Sequence, residues 1–189
     1  MTEPLNIALI VGSSRRGRIA DRLLKWLIRE LSLIADFSLD VIDAREYDPA
    51  ITGQPIPTHK LEAAIERADA MMILTAEYNH SFPAPLKAML DAVGAPWRKK
   101  PVGFISYGGI SGGLRAVEQL RLVVAELDMV GVRESVSISN PWSTIAEDGE
   151  PADADRLNGS LQRMTDALLW WATVLKAARR ANRVLENAT

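Results

Sequence analysis

Five times along this chain a short apolar run gives way to a stretch in which apolar residues recur every three or four positions. That alternation restricts the fold sharply. A strand returned through a helix lies parallel to its predecessor, so repeated strand–helix units build a doubly wound α/β sheet with helices on both faces. The strand-like runs are Leu5–Val11, Phe37–Ile42, Ala70–Leu74, Pro101–Ile105 and Val132–Ile138. Helical spacing follows at Ile19, Leu23, Leu24, Leu27 and Leu31, again over about His59–Arg67 and Pro85–Val93, and at Leu114, Val117, Leu120, Val124 and Leu127. A last helix carries Leu157, Leu161, Met164, Leu168, Trp171 and Leu175 on one stripe, with Trp170 widening it toward a possible subunit contact. The stretch from Arg45 to Thr58 holds Pro49, Gly53, Pro55 and Pro57 and reads as loop, as does the acidic Glu147–Pro151 segment. At 189 residues the chain supports one well-buried domain, read as residues 1–189.

Three of the turns that leave these strands carry chemistry. In an open parallel sheet such loops gather at the carboxyl edge, where ligands bind. The first, Gly12-Ser13-Ser14-Arg15-Arg16-Gly17-Arg18, joins hydroxyl donors and positive charge to the amino end of a helix, whose free N–H groups favour an anion. A phosphate monoester suits that combination. The loop has neither the Gly-Lys-Ser/Thr ending of a nucleoside triphosphate loop nor a Gly-x-Gly-x-x-Gly fingerprint. The second, Glu77-Tyr78-Asn79-His80-Ser81, offers aromatic and polar groups to a planar ring. The third, Ser106-Tyr107-Gly108-Gly109-Ile110-Ser111-Gly112-Gly113, offers bare backbone against which a flat ring can lie. Each has a structural reading too: Gly12 turning the chain with its arginines in solvent, an ordinary polar connection, a flexible turn. Neither His59 nor His80 has an evident partner that would mark a catalytic base.

Composition narrows the classes further. The balance of 22 basic and 24 acidic residues gives a net charge of −2, which argues against nucleic acid as a partner. With no cysteine, disulfides, thiolate nucleophiles and zinc–thiolate sites are excluded, and redox chemistry requires a bound cofactor. Met1-Thr2-Glu3-Pro4 lacks the features of a signal peptide, and no apolar stretch reaches the ~20 residues of a membrane span, so a cytoplasmic location is expected. Lys176, Arg179, Arg180 and Arg183 near the end complement a helix dipole.

Taken together, the three loops resemble the NADPH-dependent FMN reductase family. The family's Gly-Ser-x-Arg opening is similar to Gly12, Ser13 and Arg15. Its Pro-Glu-Tyr-(Asn/His)-x-Ser signature with a following Leu-Lys helix resembles Glu77–Ser81 and Leu86-Lys87, and its Gly-Gly-x-x-Gly-Gly loop resembles Gly108–Gly113. Arg18 stands where the family often has serine, and Ala76 where it has proline.

The resemblance implies a flavodoxin-like three-layer sandwich around a five-stranded parallel sheet of order 2-1-3-4-5. It implies FMN as cofactor and NADPH or NADH as co-substrate. Ser13 and Arg15 would hold the phosphate with backbone at Ile19 and Ala20, and Arg18 would add charge there. Glu77, Tyr78 and Asn79 would line the isoalloxazine, with Ser106, Gly108 and Gly109 against its pyrimidine side. No side chain is expected to act as a catalytic acid or base, and no metal is expected, because the cofactor carries the chemistry. The implied acceptor is a quinone, azo compound, metal oxyanion or free flavin, and the implied assembly a homodimer or homotetramer. A flavodoxin-like electron carrier and a flavin-free binding protein are the competing classes.

Overall fold

Strands form at the five apolar runs and helices at the periodic stretches in the computed structural model, which describes residues 4–34 and 37–186, with side chains through residue 181. In chain order the elements are β1 (Leu5–Val11), α1 (Ala20–Ile34), β2 (Phe37–Asp43), α2 (Pro49–Thr52), α3 (Thr58–Arg67), β3 (Ala70–Ala76), α4 (Ala84–Ala92), β4 (Pro101–Gly108), α5 (Leu114–Glu126), β5 (Val130–Ser139), α6 (Pro141–Thr144) and α7 (Ala154–Glu186). Met1–Glu3 and the Arg183 side chain lie outside the described residues. All strand pairs are parallel and the sheet order is β2-β1-β3-β4-β5, as the resemblance implies.

Burial explains why the middle strands read as unbroken apolar runs. β3 and β4 have neighbours on both edges and helices on both faces, and they are buried at every position. The edge strand β2 is only partly covered, with Ile42 its one fully buried residue. On one face of the sheet Leu9 and Val11 pack with Leu23, Trp26 and Leu27 of α1 and with Leu161, Met164 and Leu168 of α7. On the other face Ile10, Ile73 and Phe104 meet Leu61 and Ile65 of α3, Leu86 and Leu90 of α4, and Leu120 of α5. Each such side chain contributes roughly 1.5–3 kcal/mol on burial, so these two clusters hold the helices more than helix propensity does.

The last helix lies along its own sheet through the expected stripe, leaving Trp170 at 60% exposure. Its basic end has a more specific task than complementing a dipole. Lys176 Nζ donates to Asp69 Oδ2 at 2.7 Å, and the backbone N–H of Asn6 donates to the same oxygen at 3.0 Å. Asp69 thereby ties α7 to the amino edge of the sheet, away from the loops considered above. No helix among the described residues is long and apolar enough to cross a membrane.

Two stretches differ from expectation. The proline-rich connection after β2 is not all loop: a single 3-10 turn spans Ala44–Glu46, and α2 follows. Pro49 occupies the first helical turn, where proline lacks nothing, Asp48 caps it through Ala50 N, and Gly53 closes it at φ +65°. The third loop is also shorter than expected. Ser106, Tyr107 and Gly108 belong to β4, because they continue its ladder to Ser137, Ile138 and Ser139 of β5.

Candidate functional site

Registers set the three loops side by side. Val11 pairs with Leu74, Ala76 with Tyr107 and Gly108 with Ser139, so the chain leaves β1, β3 and β4 at one edge. The first loop starts where Gly12 N donates to Leu74 O at 2.9 Å. A Cβ on Gly12 would come within 2.8 Å of the Leu86 side chain, so only glycine lets α4 pack this close under the loop.

Behind that loop stands a set of carboxylates. Ser14 Oγ donates to Asp48 Oδ2 at 2.5 Å, both residues being buried. Arg18, expected at the phosphate, is turned into the framework: its guanidinium donates to both oxygens of Asp43, to Asp21 Oδ1 at 2.9 Å and to the Ser13 carbonyl. Burial disfavours the charges of both Arg18 and Asp43, yet their mutual hydrogen bonds prevail. The Asp43 carboxyl stays below its ordinary range and the guanidinium above its own. Arg45 completes the set, reaching Asp21 Oδ2 at 2.9 Å and the Arg15 carbonyl at 3.0 Å.

What remains open on the loop is backbone. The N–H groups from Ser13 to Ala20 donate to no described residue, and they lead into the amino end of the 15-residue α1. Ile19 and Ala20, named from the sequence, sit in this row. Arg15 and Arg16 are exposed, and the Arg15 guanidinium lies 3.6 Å from the centre of the Tyr78 ring. Ser13 Oγ and the Tyr78 hydroxyl are 2.9 Å apart. A row of unpaired donors at a helix terminus, flanked by two guanidiniums, is a site for an anion.

The second loop is a tight turn in which Tyr78 and Ser81 exchange backbone hydrogen bonds of 2.9 and 3.1 Å. Asn79 and His80 between them are both left-handed, at φ +50° and +71°. Asparagine adopts this conformation readily; histidine does so at some cost, of the kind that gathers at functional sites. Glu77 does not offer its carboxylate to a ring. It accepts from Ser111 Oγ at 2.6 Å and from the backbone and side-chain nitrogens of Arg115, each at 3.1 Å. Partial burial opposes the charge, but these donors outweigh it and hold the Glu77 carboxyl below its usual range. Glu77 is therefore the brace between the second loop and the third.

The glycines of the third loop divide in two. Gly113 has φ +87°, and a Cβ there would stand 2.6 Å from Tyr107 N, so it and Gly112 fold the loop down onto β4. Ser106 Oγ donates to Gly112 O at 2.9 Å from beneath. Gly108 is enclosed, with Glu77 Cβ 3.1 Å from where its own Cβ would be. Gly109 alone of the four faces open space. Ile110 beside it is 88% exposed, and Trp142, beyond the end of β5, is 59% exposed.

The structure thus gathers Ser13, Arg15, Ile19, Ala20, Tyr78, Asn79 and Gly109 at the open edge. It sets Arg18, Glu77, Ser106 and the interior of Gly108 behind that edge. Asp21, Asp43, Asp48, Arg45, Ser111, Arg115 and Tyr107 belong to the same assembly but were not singled out from the sequence. Ser111 and Tyr107 lay within the glycine loop, and Asp43 and Asp48, just past the end of a strand beside an arginine-rich loop, were the remaining signal available.

Residues 5–143 match the family model described as NADPH-dependent FMN reductase. The chain is 32% identical over 183 residues to a 2-hydroxy-1,4-benzoquinone reductase of Burkholderia sp., covering 88% of this chain and 96% of that protein. It is 30% identical over 142 residues to a quinone reductase of Escherichia coli (strain K12), covering 68% and 73%. Among solved structures, the flavoenzyme NAD(P)H:(acceptor) oxidoreductase FerB from Paracoccus denitrificans superposes with a TM-score of 0.67 at 23% identity, over 87% of this chain and 97% of that one, a likeness of fold.

Proposed function

This chain belongs to the NADPH-dependent FMN reductase family, and we propose that it reduces a quinone with electrons from NAD(P)H, using FMN held at the carboxyl edge of the sheet. The observation that carries the reading is the row of unpaired N–H donors from Ser13 to Ala20 at the start of α1. A phosphate monoester carries close to two negative charges and three acceptor oxygens, which such a row and two flanking guanidiniums can satisfy. The residues present fit the cofactor on that test. The buried hydroxyl of Tyr107 is a further polar group that completes no hydrogen bond in the protein alone.

The chemistry FMN supplies when bound is two-electron transfer between NAD(P)H and the acceptor. The overall reaction is NAD(P)H, a proton and a quinone giving NAD(P)⁺ and a hydroquinone. In this chain Ser13, Arg15 and the backbone at Ile19 and Ala20 bind the phosphate, while Arg18 keeps the loop in shape through Asp43 and Asp21. Tyr78 and Asn79 would flank the ring, and the backbone at Gly108 and Gly109 would lie beside it. Glu77 keeps those two loops at a fixed spacing through Ser111 and Arg115. The exposed apolar groups Ile110 and Trp142 suit a flat, weakly polar acceptor. A quinone is favoured over an azo dye or oxyanion by the two relatives, each a quinone reductase.

The test is a visible spectrum of the desalted protein after loading with FMN, followed anaerobically by NADPH or NADH and then by acceptors in turn. Retained flavin colour, bleaching on NAD(P)H and fastest recovery with 1,4-benzoquinone are expected. Recovery that is faster with an azo dye, chromate or free FMN would replace the acceptor. A protein that holds no flavin would remove the reading.

A further inference from the structure

Tyr107 stands at the carboxyl end of β4, beside Ala76 in the register, and its ring packs in the cluster shared with α1 and α7. The residue is 5% exposed, and its hydroxyl, fully buried, completes no hydrogen bond with the protein. The Ser13 hydroxyl is the one side-chain group within hydrogen-bonding influence of that atom, just short of a formed bond, while the charges of Arg18 and Asp21 act on it electrostatically. A buried hydroxyl without a partner is costly in the protein alone, which raises the question of what completes it.

The arithmetic of the Ser13 hydroxyl supplies an answer. A serine hydroxyl has one proton to donate and two lone pairs to accept with. In this structure it makes one side-chain contact, with the Tyr78 hydroxyl. Once its proton is turned to an anion in the loop, both lone pairs become acceptors, and the hydroxyls of Tyr78 and Tyr107 are placed to donate to them. We propose that Tyr107 is a positioning residue for the cofactor's phosphate: its hydroxyl donates to Ser13 Oγ, which in turn donates to a phosphate oxygen. Two donors into the serine oxygen fix its rotamer and polarise its O–H, strengthening the outward hydrogen bond. Burial pushes the Tyr107 phenol well above its ordinary value, so it stays a protonated donor at any working pH. The proposal rests on the phosphate site described under the proposed function, and it concerns only how Ser13 is aimed.

The experiment compares Tyr107→Phe with wild type in three measurements: FMN affinity, riboflavin affinity and thermal melting of the cofactor-free protein. Riboflavin is the same ring system without the phosphate. Tyr107→Phe should weaken FMN binding about five- to tenfold, the usual scale for one hydrogen bond on the path to a charged group. It should leave riboflavin affinity unchanged, and the cofactor-free protein should melt no lower, since the deleted hydroxyl completes no hydrogen bond there. In a Ser13→Ala background the same substitution should have no further effect on FMN, because the hydroxyl it would aim is gone. Equal losses for FMN and riboflavin would mean a packing role and overturn the proposal. Unchanged FMN affinity would overturn it as well, and so would losses that simply add in the double variant. Wild-type protein that binds neither flavin would instead overturn the cofactor reading on which the proposal rests.

Discussion

The first and third loops look alike in sequence, both short, glycine-bearing and followed by a helix, yet they use their residues in opposite ways. The third loop turns inward: Gly112 and Gly113 press it onto β4, and Ser106 and Glu77 bind it from below and beside. The first turns Ser14 and Arg18 backward, onto Asp21, Asp43 and Asp48, and leaves its backbone donors and Arg15 outward. Glycine count therefore says little about where a ligand sits. Unpaired donors say more, and carboxylates behind the loop are what keep those donors unpaired and ordered.

The largest effect should come from removing that backing. Asp43→Ala leaves the Arg18 guanidinium, whose side chain is 1% exposed, without its main partner. Loss of one partner from a buried pair costs about 3–5 kcal/mol; because Asp43 itself is partly exposed, about 2–4 kcal/mol is expected in urea unfolding. FMN retention should fail along with it. Acid should act on the same pair. The folded Asp43 carboxyl lies below its ordinary value, so its stabilisation is complete above about pH 4 and is lost as pH falls through the depressed folded value. Wild-type stability should drop across that acid window and Asp43→Asn much less so; identical acid profiles would show that the pair contributes little.

Next in size is a contrast within the third loop. Gly113→Ala places a Cβ 2.6 Å from Tyr107 N at φ +87° and should cost about 1–3 kcal/mol of stability. Gly109→Ala meets nothing and should change stability by less than about 0.5 kcal/mol. Its methyl group would, however, intrude on the flavin's polar side and weaken FMN binding. Thermal melts and FMN titrations of the two variants should thus rank in opposite order to any ranking by glycine alone. Full FMN affinity in Gly109→Ala would move the ring away from this loop.

A smaller effect is expected at the brace. Glu77→Gln keeps the shape but removes the charge that accepts from Ser111 and Arg115. Because Arg115 is nearly half exposed, the stability cost should be only about 1 kcal/mol. The functional cost should exceed it, since the two loops proposed to flank the ring would no longer be held together. An increase in FMN off-rate larger than the change in stability would mark Glu77 as a spacer between them. Equal changes would reduce it to an ordinary ion pair.

The uneven legibility of these regions in the sequence has a physical cause. Strands, helices and a parallel sheet were readable because hydrophobic periodicity is local and the crossover rule is strict, while the sheet order came from the family resemblance. Gly12, Ser13 and Arg15 were readable because they lie together at the start of one helix. Arg18 and Glu77 were assigned to the cofactor by the family resemblance, and nothing local shows that Asp43 and Arg115, 25 and 38 residues away, claim them first. Tyr107 reads in the sequence as part of the third loop rather than the strand; its buried hydroxyl emerges only once β4 is extended beside β3. The short helix at Pro49 was hidden for a different reason, since proline and glycine mark both loops and the ends of very short helices.

The smallest expected effect tests the outward half of the comparison directly. Arg15 is exposed, carries no carboxylate partner among the described residues, and rests on the Tyr78 ring at 3.6 Å. An exposed cation–π contact of this kind is worth about 0.5–1 kcal/mol, so Arg15→Ala should barely move the melting temperature. A charged hydrogen bond to phosphate is roughly twice as strong as a neutral one, so FMN affinity should fall about tenfold, with riboflavin unaffected. Added salt should weaken wild-type FMN binding and narrow the gap to Arg15→Ala, because an exposed charge is screened within about 10 Å at 0.1 M ionic strength. Arg18→Ala should behave in the opposite sense, losing stability first and showing no comparable selectivity for the phosphate. If the two variants instead gave the same pattern, both arginines would belong to one surface, and the division of the loop into an inward-facing frame and an outward-facing row of donors would not hold.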